Sequence, residues 1–143
     1  LFGKNKNITV YNTCTIAGDV RVGENTWIGP YTALDGGKSG ISIGGNCSLS
    51  SGVNIIGHDS VKWALSGGRQ KYEYAPVSVG NNCFIGTNAV ITKGVSIGNH
   101  CLVGANAVVT KSFPDYSIIL GVPGRHMGNV IVTGEDVILD YFD

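Results

Sequence analysis

The chain is poor in charge and has no excess of either sign. Only 14% of its 143 residues are charged, and the formal net charge is zero. That removes the basic face on which nucleic-acid binding depends, so nucleic acid is not an expected partner. No apolar run approaches the roughly 18 residues that cross a bilayer as a helix, so no membrane span is expected. No opening stretch has the make-up of a secretory signal, and the first residue is Leu1 rather than Met. The expected location is cytoplasmic. Histidine is scarce: His58, His100 and His126 lie 42 and 26 positions apart, with no close pair. Such spacing argues against a metal site. Neither the 3.6-residue period of a helix nor plain two-residue alternation runs through the apolar positions.

Glycine, by contrast, is abundant at 22 residues, and 43% of the chain is hydrophobic. The two together describe a packed protein rather than a flexible polymer. From Val79 to Val109 every sixth residue is aliphatic: Val79, Ile85, Ile91, Ile97, Val103, Val109. Glycine or threonine follows each one, and four places on comes a further apolar side chain, usually small, as at Cys83, Ala89, Cys101 and Ala107. A unit that stacks on copies of itself produces this rhythm. It begins earlier, at Val10, Ile16, Val22, Ile28 and Leu34, with Cys14, Val20, Thr26 and Thr32 as inward partners. Asp35–Gly40 interrupts it, and it resumes at Ile43, Leu49 and Ile55.

Three places after each aliphatic stands Asn or Gly in most repeats, as at Asn25, Asn46, Gly52, Asn82, Asn88, Gly94 and Asn106. These residues tolerate positive φ, so the chain turns there. Each repeat is then a short strand and a bend, and three bends close a triangle. Stacked triangles form a parallel solenoid at about 4.8 Å per coil. Cys14, Cys47, Cys83 and Cys101 all fall at the small inward position. Stacked side chains at strand spacing point parallel rather than toward one another, which suits reduced core fillers better than disulfides. After Ile55 the rhythm is lost for about twenty residues. His58 opens this excursion, which carries Trp63, Tyr72 and Tyr74. A long loop inside a strict repeat is usually functional, and its aromatics need something to pack against. Covering a neighbouring subunit is the plainer alternative. The tail has two short β-like pieces, Val130–Val132 and Val137–Leu139, around Gly134. It is expected to cap the open end of the solenoid.

This hexapeptide, with its His-led loop, its Thr110-Lys111 ending and Gly121-Val122-Pro123-Gly124-Arg125, resembles the left-handed β-helix acyltransferases. It is most similar to the maltose and galactoside O-acetyltransferase branch. The resemblance implies an all-β, left-handed parallel β-helix over residues 1–126, with one long excursion loop at 58–76 and a cap at 127–143. The left hand follows from the resemblance alone, since parallel crossovers otherwise favour the right hand. A homotrimer is implied in the same way. Gamma carbonic anhydrases share the solenoid and bind zinc, but the histidine spacing here lends them no support.

Acetyl transfer to a hydroxyl needs a base, an oxyanion donor and a held coenzyme. Imidazole suits the first, because as a residue type it titrates near neutral pH. His58 is the expected general base, at a corner where the chain leaves the coil; its plainer reading is a turn residue. His100, in an unbroken run, is read as a turn residue, and His126 has no assigned role. By resemblance, acetyl-CoA is the co-substrate. Thr87 and Ala105 would line its pantetheine arm, Thr110 would join them, and Lys111 and Arg125 would meet its phosphates. Asp35 and Tyr74 are the candidate acceptor contacts. The expected function is an acetyl-CoA-dependent O-acetyltransferase acting on a sugar hydroxyl, free, nucleotide-linked or polymer-bound, with His58 at a subunit interface. An N-acetyltransferase on an amino sugar and a non-catalytic solenoid scaffold remain as alternatives.

Overall fold

The structure, a computed structural model, describes residues 2, 3 and 5–143. In chain order the strands are β1 (Thr9–Val10), β2 (Thr15–Ala17), β3 (Val20–Val22), β4 (Trp27–Ile28), β5 (Ala33–Asp35), β6 (Ile41–Ile43), β7 (Ser48–Leu49) and β8 (Asn54–Ile56). An excursion follows, with β9 (His58–Asp59), helix α1 (Val61–Leu65) and β10 (Glu73–Tyr74). The coil then resumes with β11 (Val77–Val79), β12 (Phe84–Ile85), β13 (Val90–Ile91), β14 (Ser96–Ile97), β15 (Leu102–Val103) and β16 (Val108–Val109). The chain closes with β17 (Ser117–Leu120), β18 (Arg125–Thr133) and β19 (Asp136–Tyr141).

Two- and three-residue strands bury almost nothing alone. They persist because each pairs in parallel with its counterparts one coil away, forming three faces. Face one runs β1-β4-β7-β12-β15-β17, face two β2-β5-β8-β13-β16, and face three β3-β6-β11-β14. The registers stack the aliphatics. Val10, Ile28, Leu49, Ile85, Val103 and Ile119 form one column. Ile16, Leu34, Ile55, Ile91 and Val109 form the second. Val22, Ile43, Val79 and Ile97 form the third. All but Val10 and Ile16, at the N-terminal end, are buried. The interior is therefore the meeting of three columns, closed by the small partners Cys47, Val53, Cys83, Ala89, Val95, Cys101 and Ala107.

The corners turn where the spacing predicts. Between faces three and one, Asn25, Asn46, Asn82, His100 and Tyr116 all take left-handed φ, from +54° to +64°. Their side chains form a ladder: Asn25 Nδ2 donates to Asn46 Oδ1 at 3.2 Å, Asn82 pairs with His100 Nε2 at 3.2 Å, and His100 stacks on Tyr116 at 5.0 Å. His100 is thus the turn residue expected of it. All four cysteines are free thiols. Cys47, Cys83 and Cys101 line this same corner, each Sγ lying 3.1–3.2 Å from a carbonyl of the next coil. Hydrogen bonding to Cys101 and Cys47, and then burial, push the Cys83 thiol well above its ordinary value.

Both breaks in the rhythm leave the coil at one edge, between faces two and three. The first lies between β5 and β6, the second between β8 and β11, one coil further on. The excursion is not a bare loop. β9 and β10 pair antiparallel as its stem, with His58 opposite Tyr74 and Asp59 opposite Glu73. The tail also differs from expectation. Instead of folding over the open end, β18 pairs antiparallel with β17 and β19 with β18, so face one continues past the last coil as a hairpin. A polar-capped lid would need one face to pack down, whereas β19 is exposed along its whole length. β18 begins at Arg125, so the expected division at residue 126 falls inside a strand.

Candidate functional site

Coil register, not sequence proximity, assembles the site. Asp35 pairs with Ile56 at the end of face two, which sets it beside the residues that open the excursion. His58 Nε2 stands 3.8 Å from Asp35 Oδ2, beyond hydrogen-bond length and within ion-pair range. The imidazole is 24% exposed. It lies nearly parallel to Tyr72, centroids 6.2 Å apart, and against Tyr74 at 5.7 Å. Nδ1 is buried with no hydrogen-bond partner among the described residues, and Nε2 is the ring nitrogen nearest the Asp35 carboxylate. The sequence placed His58 at an outward corner; it instead begins a strand with an ordinary φ, its ring stacked beside two aromatics. The reason is the stem, which extends the backbone here rather than turning it.

The other side of the ring is set by a glycine. Gly37 has φ +52°, and a Cβ there would sit 3.2 Å from Tyr74 Cδ1 and 3.6 Å from His58 Nδ1. Its N–H donates to Asp35 Oδ1 at 3.2 Å, which fixes the carboxylate. Lys38, next along, places its ammonium 4.9 Å from the Tyr74 ring centroid. The stem is held from the following coil. Lys93 Nζ reaches Asp59 at 2.9 Å and Glu73 at 3.9 Å, and Lys62 reaches Glu73 at 3.0 Å. The bond from Lys93 holds the Asp59 carboxyl below its ordinary value, and the bond to Asp59 raises Lys93.

The structure therefore brings His58, Asp35 and Tyr74 together. It does not bring Thr87 and Ala105 to them. Those two do stack as the spacing requires, with Asn106 N–H donating to Thr87 O at 2.8 Å, but they lie on the edge between faces one and two. Both are exposed, and face two separates them from His58. Thr110 and Lys111 follow β16 and stand on the edge of His58, two coils further along. Arg125 is exposed at the start of β18, behind a segment whose Gly124 N–H donates to Val108 O at 2.7 Å. Neither Lys111 nor Arg125 is ion-paired among the described residues. No group of three or more His, Cys, Asp or Glu among the described residues could hold a metal ion. Gly37, Lys38 and Lys93 were missed from sequence. Aligning Ile55 with Ile91 coil on coil would have found Lys93, because it sets that residue above the opening of the excursion.

Comparison with known proteins finds hexapeptide-repeat proteins similar to this chain. The family described as the hexapeptide repeat of succinyl-transferase matches residues 76–111. Protein CapG of Staphylococcus aureus is 43% identical over 94 residues, covering 63% of this chain and 53% of CapG. The chain thus spans about half of CapG's length. Among solved structures, the N-acyltransferase AntD of Bacillus cereus, in complex with dTDP and 3-hydroxybutyryl-CoA, superposes with a TM-score of 0.78 at 27% identity, over 86% of this chain and 69% of AntD. A hexapeptide-repeat acetyltransferase of Vibrio cholerae in complex with acetyl coenzyme A gives 0.75 at 25% identity, over 85% and 67%.

Proposed function

Because this chain is a hexapeptide-repeat, left-handed β-helix of the kind acyltransferases are built on, we propose that it transfers an acetyl group from acetyl-CoA to a sugar hydroxyl. The observation that carries the reading is His58: a half-buried imidazole stacked beside Tyr72 and Tyr74, with a carboxylate 3.8 Å from Nε2. Nε2, unprotonated while Nδ1 holds the proton, accepts hydrogen from the acceptor hydroxyl as that oxygen bonds to the thioester carbon. Asp35 steadies the imidazolium so formed. As the tetrahedral adduct collapses and the carbon–sulfur bond breaks, His58 returns the proton to sulfur, and the base is regenerated. A vicinal sugar hydroxyl fits Asp35 as acceptor, since the 3.8 Å gap suits two adjacent hydroxyls, one on each partner.

Holding the coenzyme falls to the remaining residues. Thr87 and Ala105 offer a ridge of small, exposed side chains beside which a pantetheine arm can lie, while Thr110 stands on the edge that carries His58. Lys111 and Arg125, without acidic partners among the described residues, supply positive charge for its phosphates. In one chain the ridge and His58 lie on different edges. A second copy, packed edge to edge, would join the ridge of one protomer to the histidine of the other, and a closed three-fold ring does this for every site. The homotrimer is proposed on that ground.

AntD, as an N-acyltransferase, favours a second reading in which the acceptor is an amino sugar. Asp35 would then sit where an ammonium arrives, and His58 would take its proton. The two are separated by following thiol release from acetyl-CoA with matched hydroxyl and amino sugars. His58→Asn is expected to lower turnover by roughly 10²–10⁴ with acetyl-CoA affinity unchanged. Unchanged turnover in that variant, or no coenzyme binding by calorimetry, would return the chain to the scaffold reading.

A further inference from the structure

Against Tyr72 and Tyr74, the excursion and Lys38 of the first break border an open concavity of about 510 Å³. That is within the usual range of small-ligand sites. Lys38, Arg69 and Lys71 line it with Trp63, Tyr72 and Tyr74. Charge makes it unusual. No carboxylate lines it, and none of its three cations is ion-paired among the described residues. Around the stem the opposite holds, since Lys62 of the excursion and Lys93 of the following coil are both matched by acids. In a chain of zero net charge, three unmatched cations in one hollow make a local positive field that a neutral sugar has no use for.

The hollow is also built rather than loose. Ser66 Oγ accepts from the backbone N–H of Arg69 at 3.0 Å and of Gln70 at 2.7 Å. Arg69 Nε donates to Ser66 O at 2.9 Å, which leaves the outer guanidinium nitrogens to a ligand. Gly67 and Gly68, at φ +67° and +88°, make the tight turn that allows this, and Gly68 packs against the Trp63 indole. Trp63 stands edge-on to Tyr72 at 5.7 Å, and Tyr72 in turn lies nearly parallel to His58 at 6.2 Å. Tyr72 and Tyr74, which line the hollow, are also the two rings stacked beside His58, so the hollow borders the histidine's neighbourhood.

We infer that this hollow takes the phosphoryl-bearing end of the acceptor, a sugar joined to a mono- or diphosphate. Arg69, Lys71 and Lys38 hold the phosphate, the aromatics hold the ring, and the reacting atom reaches Nε2. The inference rests on the acyl-transfer reading only for what happens at that last atom. A free sugar phosphate and a nucleotide-linked sugar share this chemistry, and the probes separate them.

The test is calorimetry on the full chain saturated with coenzyme A, using thymidine 5′-diphosphate, inorganic pyrophosphate and thymidine at low and high salt. The diphosphate should bind at least about tenfold more tightly than thymidine and weaken as salt rises. Arg69→Gln with Lys71→Gln should weaken it by about tenfold or more, with acetyl-CoA affinity unchanged. Pyrophosphate binding as tightly as the nucleotide would assign the site to the phosphate alone, and tighter nucleotide binding would assign it to the nucleoside as well. Thymidine binding as well as its diphosphate, or a double variant that binds like wild type, would overturn the inference. Failure of acetyl-CoA to bind, with the diphosphate still bound, would remove the transferase reading and leave this one standing.

Discussion

Gly37 shows how little room the His58 ring has. It occupies a left-handed φ, and the space of its missing Cβ is bordered by Tyr74 and by His58 Nδ1. Gly37→Ala adds one methyl to that space and strains the backbone by about 1–2 kcal/mol. The melting midpoint should fall by only a few degrees, while kcat/KM should drop about tenfold or more as the imidazole is displaced. Equal activity in the variant would show that the ring has slack. At this scale the sequence reveals part of the picture. His58 is visible as the residue at which the rhythm stops. Its partner Asp35 is visible as a break residue, but their contact is hidden, because it depends on the register between β5 and β8 across an interrupted coil. Gly37 has no signal at all, since any loop of that composition carries glycine.

One scale up, the stem β9–β10 is two residues long on each side. It buries little and would fray without help. The help is Lys93, reaching across from the next coil to Asp59 and Glu73. Asp59 is held below its ordinary value, so its contribution is present above that value and lost as pH falls through the depressed one. Lys93 is raised, so its share is present at lower pH and lost as pH climbs through the raised value. The stem should therefore be firmest between about pH 4 and pH 10. Both groups are solvent-accessible, so the effect is modest and local. Amide exchange, corrected for intrinsic rates, should quicken across residues 58–74 below about pH 4 while the coil amides stay protected. Lys93→Met should give the same pattern at neutral pH. A uniform response along the chain would refute a local clamp. The excursion's internal structure was illegible from sequence for a physical reason: its order comes from a hairpin stem, an ion pair and stacked rings, none of which leaves a period. Helix α1 is the extreme case. It is five residues long, buries none of them and leaves Leu65 84% exposed.

Taken whole, the molecule is three columns of aliphatic side chains, and the sequence shows them plainly because every coil repeats the same inward demand. Each coil touches only its neighbours, so damage to a middle coil divides the stack. Ile85, fully buried between Leu49 and Val103, should cost about 2–5 kcal/mol when cut to Ala, read as a shift in the denaturation midpoint at unchanged slope. What the repeat could not foretell is the continuation of face one into the β18–β19 hairpin, whose strands carry no hexapeptide signal. Assembly belongs to this scale too. If two edges of different protomers build one site, sedimentation at micromolar concentration should give a three-fold mass, and dilution to monomer should abolish transfer. A monomer of full activity would contradict the shared site.

Both interruptions bud from one edge, on consecutive coils, and neither disturbs the register on either side. Chassis and cargo bay are in that sense separate. Exchanging the 58–76 excursion for one of another length and lining should change the guest this edge accepts while the three-column frame melts where it did before.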